Sequence, residues 1–128
     1  MKKEERMDYA AERKRSMNCC QAVLVSFAEE IGQDEAFFMK LGSGFGSGMA
    51  MMEGTCGALV GAIMTSSLLA EEGQARRLSM SILPRFKKMC GATACHDLKG
   101  VKTGQPLCSC ENCVRNAVLA TCETLGLE

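Results

Sequence analysis

The chain has no tryptophan, one tyrosine, one histidine and two prolines among 128 residues. An aromatic-rich core is thereby excluded, and the interior must come from Leu, Ile, Val, Met and Ala. So few prolines, and few runs of β-branched residues, speak for helices and against an all-β fold. Charge of one sign is also lacking: 15 basic residues meet 15 acidic ones. No basic field of the kind that nucleic-acid binding needs arises from that balance. The cluster Arg13, Lys14 and Arg15 is offset by Glu4, Glu5, Asp8 and Glu12, and reads as a solvated helix face. Long apolar runs are absent too, so membrane insertion is not expected. Residues 1–15 hold no apolar stretch of the sort an export signal contains, and a cytoplasmic location is expected.

What the sequence has in excess is cysteine, nine in all. An odd count without an export signal argues against a disulfide framework. Repeated cysteines in a reducing compartment point instead to metal binding or redox chemistry.

Polar caps and glycine stops divide the chain into an all-α, single-domain bundle of about five helices over residues 1–128. A charged helix is expected over 3–15. Asn18 caps a second, from Cys19 to about Ile31, whose apolar face carries Val23, Leu24, Phe27, Ala28 and Ile31 and which Gly32 stops. Asp34 caps a short helix ending at Leu41. A loop with glycine at every second place follows, Gly42 to Gly48. Thr55 is expected to cap a helix from Cys56 to about Glu71, with Gly57, Ala58, Gly61 and Ala62 forming a flat face for close packing. A further helix runs from Gln74 to Met89, kinked or broken at Pro84. Residues 99–107 read as loop. The last helix starts at Ser109 or Cys110 and ends at Leu125, with Val114, Ala117, Val118, Thr121 and Cys122 facing inward and Gly126 as its stop.

Cysteines at helix N-termini meet unpaired N–H groups and the positive end of the helix dipole, and both favour thiolate. Cys19 and Cys56 have that placement, and Cys110 and Cys113 fall in the first turn of the last helix. Buried, inert thiols are the plainer alternative. Cys108, Cys110 and Cys113 form a C-x-C-x-x-C cluster, whose spacing lets two or three sulfurs reach one ion. The segment Cys90 to His96 reads C-x4-C-H, one step from a haem-attachment pattern, which the absence of an export signal disfavours. His96 is either a hydrogen-bonded imidazole or a ligand or proton donor beside Cys95. The glycine loop lacks the lysine of a phosphate-binding loop; it suits backbone passing close to the helix starts, or a flap. Met39, Met49, Met51 and Met52 are thioethers that suit Cu(I), though methionine as core filler is commoner. One histidine and no nucleophile-elbow pattern leave hydrolase chemistry unsupported.

Taken in order, Asn18-Cys19-Cys20-Gln21-Ala22-Val23-Leu24, Gly42-Ser43-Gly44-Phe45-Gly46, Cys56-Gly57-Ala58-Leu59-Val60-Gly61, Cys95-His96-Asp97-Leu98 and Cys113-Val114 resemble the C_GCAxxG_C_C family, redox-active proteins of bacteria and archaea. The resemblance covers residues 16–126. It implies that Cys19, Cys56, Cys95 and Cys113 are the family's four cysteines, with Cys110 and Cys108 as further ligand candidates and Cys20, Cys90 and Cys122 as extras. Gly57, Gly44 and Gly46 are implied to support the site from behind. A related module in a cytochrome is associated with an iron–sulfur centre.

Three functions follow as expectations. The first is a four-cysteine site for an iron–sulfur cluster or other metal, serving electron transfer with a redox partner protein. The second is a metal-free thiol–disulfide oxidoreductase, or a subunit of one, in which Cys56 or Cys19 attacks. The third is a binding module that zinc holds together. A homodimer is compatible with each.

Overall fold

A computed structural model describes residues 1–128, and shows nine helical segments and no strand. They are α1 (Lys3–Arg13), α2 (Cys19–Ser26), α3 (Ala28–Ile31), α4 (Glu35–Leu41), a wide π-type turn (Gly48–Met52), α5 (Gly57–Leu69), α6 (Ala75–Cys90), α7 (Cys95–Leu98) and α8 (Cys110–Leu125). The all-α class is as expected, but the count of about five is too low. Five segments, α1, α2, α5, α6 and α8, do span eight residues or more. Of the others, α4 is the short helix expected after Asp34, α3 lies in the stretch expected to continue α2, and the π-type turn and α7 lie outside the expected helices.

The expected caps hold at Asn18 and Asp34, and Ser109 caps a third start. Asn18 Oδ1 accepts from the Gln21 N–H at 2.8 Å, and Gln21 Oε1 accepts from the Asn18 N–H at 3.0 Å, completing a capping box. Asp34 accepts from Phe37 N–H, and Ser109 from Asn112 N–H. Gly32 and Gly126 stop their helices with φ of +83° and +71°, a region glycine enters without steric cost.

Three expectations fail. The helix from Cys19 does not run unbroken to Ile31: Phe27, at φ −112° and ψ 14°, leaves helical geometry and divides α2 from α3. Its ring is wholly buried, and the Arg6 guanidinium lies over it at 4.5 Å. Thr55 is not a cap, because it pairs with Ala94 in an isolated antiparallel bridge, flanked by Cys56 N–H to Thr93 O at 2.8 Å. Cys56 is therefore the cap of α5 and not its first residue. Of the kink or break expected at Pro84, the break does not occur, since α6 continues as one element to Cys90. Proline removes the bond to the carbonyl four residues back. That carbonyl belongs to Met80, whose residue is 62% exposed, so the missing bond falls on the solvent side while Ile82, Phe86 and Cys90 keep the opposite face buried.

At the centre, α5 packs on α2, α6 and α8, and α8 packs on α1 and α6. Val23, Phe27, Leu59, Ile82, Phe86, Leu98, Val114 and Val118 form the main core. All eight residues of α2 are buried, so it is a core helix and not a surface one. It reaches that depth because α5 offers glycine: a Cβ on Gly61 would lie 2.8 Å from the Cys20 carbonyl oxygen, and one on Gly57 would lie 2.7 Å from that of Phe45. Buried hydroxyls are satisfied within their own helices, Thr65 on Gly61 O and Thr121 on Ala117 O, each at 2.8 Å. This packing brings the starts of α2, α5, α7 and α8 to one end of the molecule.

Candidate metal and redox centre

Eight of the nine thiols belong to α2, α5, α6, α7, α8 or the cap of α5, and seven thiols meet at that end in two groups. The outer group opens on a cavity of about 220 Å³ whose walls include Cys19, Cys56, Cys95 and Cys110. Each of these stands at a helix start: Cys19, Cys95 and Cys110 are the first residues of α2, α7 and α8, and Cys56 caps α5. The inner group is Cys90, Cys108 and Cys113, whose sulfurs all lie within 4.8 Å of one another. Cys90 and Cys113 are buried and Cys108 is half-buried. Cys56 joins the groups, because its thiol lies beside that of Cys113.

Chain passing close to chain makes this possible. Backbone from Gly46 to Gly48 crosses the helix starts: a Cβ on Gly46 would sit 2.6 Å from Asn18 Cβ, and one on Gly48 would sit 2.4 Å from Cys95 Cβ. The glycine loop thus supplies close approach, as expected. Gly44 does not take part, having open space where a side chain would go. Ser47, Met49, Ala50 and Met52 all have φ between +53° and +69°, a left-handed conformation that costs side chains energy and is typical of sites where function fixes the backbone. Cys95 N–H donates to Gly54 O at 2.9 Å, and Gly54 N–H to Gly48 O at 3.0 Å, tying that strained turn to the site.

The thiols share protons unevenly. The neighbouring Cys113 thiol lowers the pKa of Cys56 to about 7; burial opposes this, and the N–H groups of Ala58 and Leu59 at the start of α5 add to it. Cys90 falls to about 6, again first through Cys113, with Asn116 Nδ2 donating to its sulfur at 3.3 Å. Cys113 itself is pushed far up by Cys56, Cys90 and burial. In the outer group Cys19 holds the proton and Cys110 is lowered, first by Cys19 and then, against burial, by Lys99. A set of sulfurs with fewer protons than atoms is ready to exchange the remaining protons for a soft cation.

Of the expected ligands, Cys19, Cys56 and Cys95 face the cavity, with Cys110. Cys113 lies behind Cys56, with Cys108 and the unexpected Cys90. The local pattern places Cys90 in the C-x4-C-H segment but gives it no sign of a ligand, since it ends α6, where the helix dipole favours thiol over thiolate. Two lysines were also missed: Lys14 and Lys99 line the cavity. His96 is not among its walls; its Nε2 lies 3.1 Å from Asp97 Oδ1. Of the methionines, Met52 lines the cavity, whereas Met49 and Met51 are 41% and 75% exposed.

A family model described as "Putative redox-active protein (C_GCAxxG_C_C)" matches residues 17–124. The chain belongs to that family. No curated protein and no solved structure matches it. The match covers both groups of sulfurs, so the family's fold, in this member, surrounds a cysteine pole in which Cys90, Cys108 and Cys113 can hold a metal. No helix is long and apolar enough to cross a membrane.

Proposed function

We propose that this chain is an electron-transfer protein that holds an iron centre, a single ion or an iron–sulfur cluster, at Cys90, Cys108 and Cys113, with Cys56 adjoining Cys113. One observation carries the reading: three sulfurs within 4.8 Å of one another, with a fourth beside Cys113. Metal–thiolate bonds are about 2.3 Å long, so sulfurs on one ion stand no more than about 4.6 Å apart. The inner group lies within a few tenths of an ångström of that spacing, and its donor set of thiolates suits zinc or iron. Zinc has no redox chemistry, and the family's redox character favours iron. Bound iron supplies one-electron exchange. The protein's part is to keep the sulfurs dry behind α5 and α8, and to donate the Asn116 amide hydrogen bond to Cys90.

A second ligand set rests on a separate observation. Cys19, Cys56 and Cys95, three of the family's four cysteines, share the cavity, and Cys113 adjoins Cys56. These sulfurs are more widely spread and suit a cluster rather than one ion. A metal-free dithiol reading draws support from the adjacency of Cys19 and Cys110 beside Lys99.

Anaerobic purification followed by iron, zinc and sulfide analysis and an absorption spectrum tests these together. The inner centre predicts that Cys90→Ser and Cys108→Ser lose metal while Cys19→Ser and Cys95→Ser retain it. The reverse pattern moves the centre to the family's four cysteines. A colourless, metal-free protein ends both and leaves the dithiol; zinc alone supports the structural module.

A further inference from the structure

We infer that the outer cavity is a binding site for a small anion carrying a soft, thiol-reactive atom, selected by Lys14 and Lys99. The inference rests on the inner centre leaving this cavity open. The molecule as a whole is neutral, but apart from its thiols the cavity holds charged side chains of one sign. Lys14 and Lys99 line it and no carboxylate does. Lys99 Nζ is buried and makes no hydrogen bond of acceptable geometry, and the side chains that face it across the cavity are thiols, Cys110 first among them. A buried ammonium in that state is costly, and an incoming anion relieves the cost. Three long helices, α2, α5 and α8, begin at the cavity wall. Their positive ends add to the same field.

Size and chemistry narrow the ligand. About 220 Å³ is below the roughly 300–1,000 Å³ of sites for drug-sized molecules, which leaves room for an ion of a few heavy atoms. Hard oxyanions need only the lysines. The sulfurs of Cys19, Cys95 and Cys110 face the same space and add selectivity for a soft centre, such as sulfur or a carbon bearing a good leaving group. A charged mouth of low dielectric raises the encounter rate of such ions by about tenfold or more.

The probes are iodoacetate and iodoacetamide, which share a reacting carbon and differ in charge. In each case a thiolate attacks that carbon, a carbon–sulfur bond forms and iodide leaves. The full chain, purified anaerobically and used with its metal in place, is treated with each reagent, and peptide mass spectrometry reads the rate at every cysteine. The same chain unfolded in urea gives the reference ratio. At Cys19 and Cys110 the iodoacetate-to-iodoacetamide ratio is expected to exceed the reference by about tenfold. It should fall toward the reference in Lys99→Met and in Lys14→Met, persist in Lys99→Arg, and shrink as salt is added. Circular dichroism checks that each variant is folded. Should Lys99→Met collapse, the half-buried Lys14→Met decides. A ratio equal to the reference, or one that survives loss of both lysines, overturns the inference. So does resistance of Cys19 and Cys110 to both reagents until a chelator strips metal, because the cavity is then the metal site. A metal-free chain that keeps the anion preference removes the proposed iron centre and leaves this site standing.

Discussion

Replacing Gly61 by alanine sets two effects of opposite sign against each other at one atom. Gly61 lies inside α5, and alanine there gains about 1 kcal/mol of helix propensity. Against that, the new Cβ would stand 2.8 Å from the Cys20 carbonyl oxygen and 3.0 Å from Val23 Cβ. Neither neighbour can yield easily, because Cys20 and Val23 are wholly buried and α2 is backed by α1 and α4. Forcing a methyl into a close-packed interior costs about 1–3 kcal/mol. A carbonyl oxygen on a fixed helix belongs at the upper end of that range. The net expectation is a loss of about 1–2 kcal/mol, or about 4–8 °C in Tm for a chain of this length. Thermal unfolding followed by circular dichroism measures it, with Gly44→Ala as control. Gly44 has open space at its Cβ and no positive φ, so that variant should stay within about 0.5 kcal/mol of the parent. A Gly61→Ala protein as stable as the parent would falsify the claim that α2 and α5 touch backbone to backbone, and with it the reason Cys19 lies near Cys56.

Three further substitutions probe separate supports. Asn18→Ala removes the capping box and the bond from Asn18 Nδ2 to Gly42 O, and should cost about 1–2 kcal/mol in urea unfolding; Asn18→Asp, which keeps the acceptor, should cost less. Arg6, 2% exposed, donates to both carboxylate oxygens of Glu30 at 2.9 and 2.6 Å, and these bonds hold the Glu30 pKa below its ordinary value. A carboxylate lowered in this way adds stability above its unfolded pKa near 4.3 and loses it as pH falls through the folded value. Glu30→Gln should therefore trail the parent by about 2 kcal/mol at pH 7 and by much less at pH 3; an equal gap at both would refute the pair's role. Gly48→Ala combines φ +60° with a Cβ 2.4 Å from that of Cys95, and should cost about 3 kcal/mol and change the alkylation rate of Cys95.

Much of the frame was legible because it depends on local chemistry. Asn18 and Asp34 cap what they were expected to cap, the last helix starts where expected, and Gly32 and Gly126 stop what they were expected to stop. The failures occur where tertiary contacts prevail over local preference. Thr55 has the side chain of a cap, but its backbone pairs with Ala94 across the site. Phe27 has the spacing of a helix face, yet the helix breaks where its ring packs under Arg6. The break expected as one outcome at Pro84 does not occur, because the hydrogen bond it removes lies on the solvent side of α6.

The same distinction sorts the sulfurs. Cys19, Cys56, Cys95 and Cys110 share a property visible one residue at a time, a place at the start of a helix. Helix starts have free N–H groups that must face something, and four of them facing one cavity make its walls. Cys108 and Cys113 lie close in sequence, in the C-x-C-x-x-C cluster, whereas Cys90 ends a helix and shares no such local sign. The packing of α6 and α8 against each other brings it to them. Cys90 makes the point most sharply, because the end of α6 should raise its pKa, whereas Cys113 and the Asn116 amide bring it down. A site whose chemistry runs against its own helix must be built by its partners. Those partners come from α8, far along the chain, which is why a pattern of single residues finds Cys108 and Cys113 and passes over Cys90.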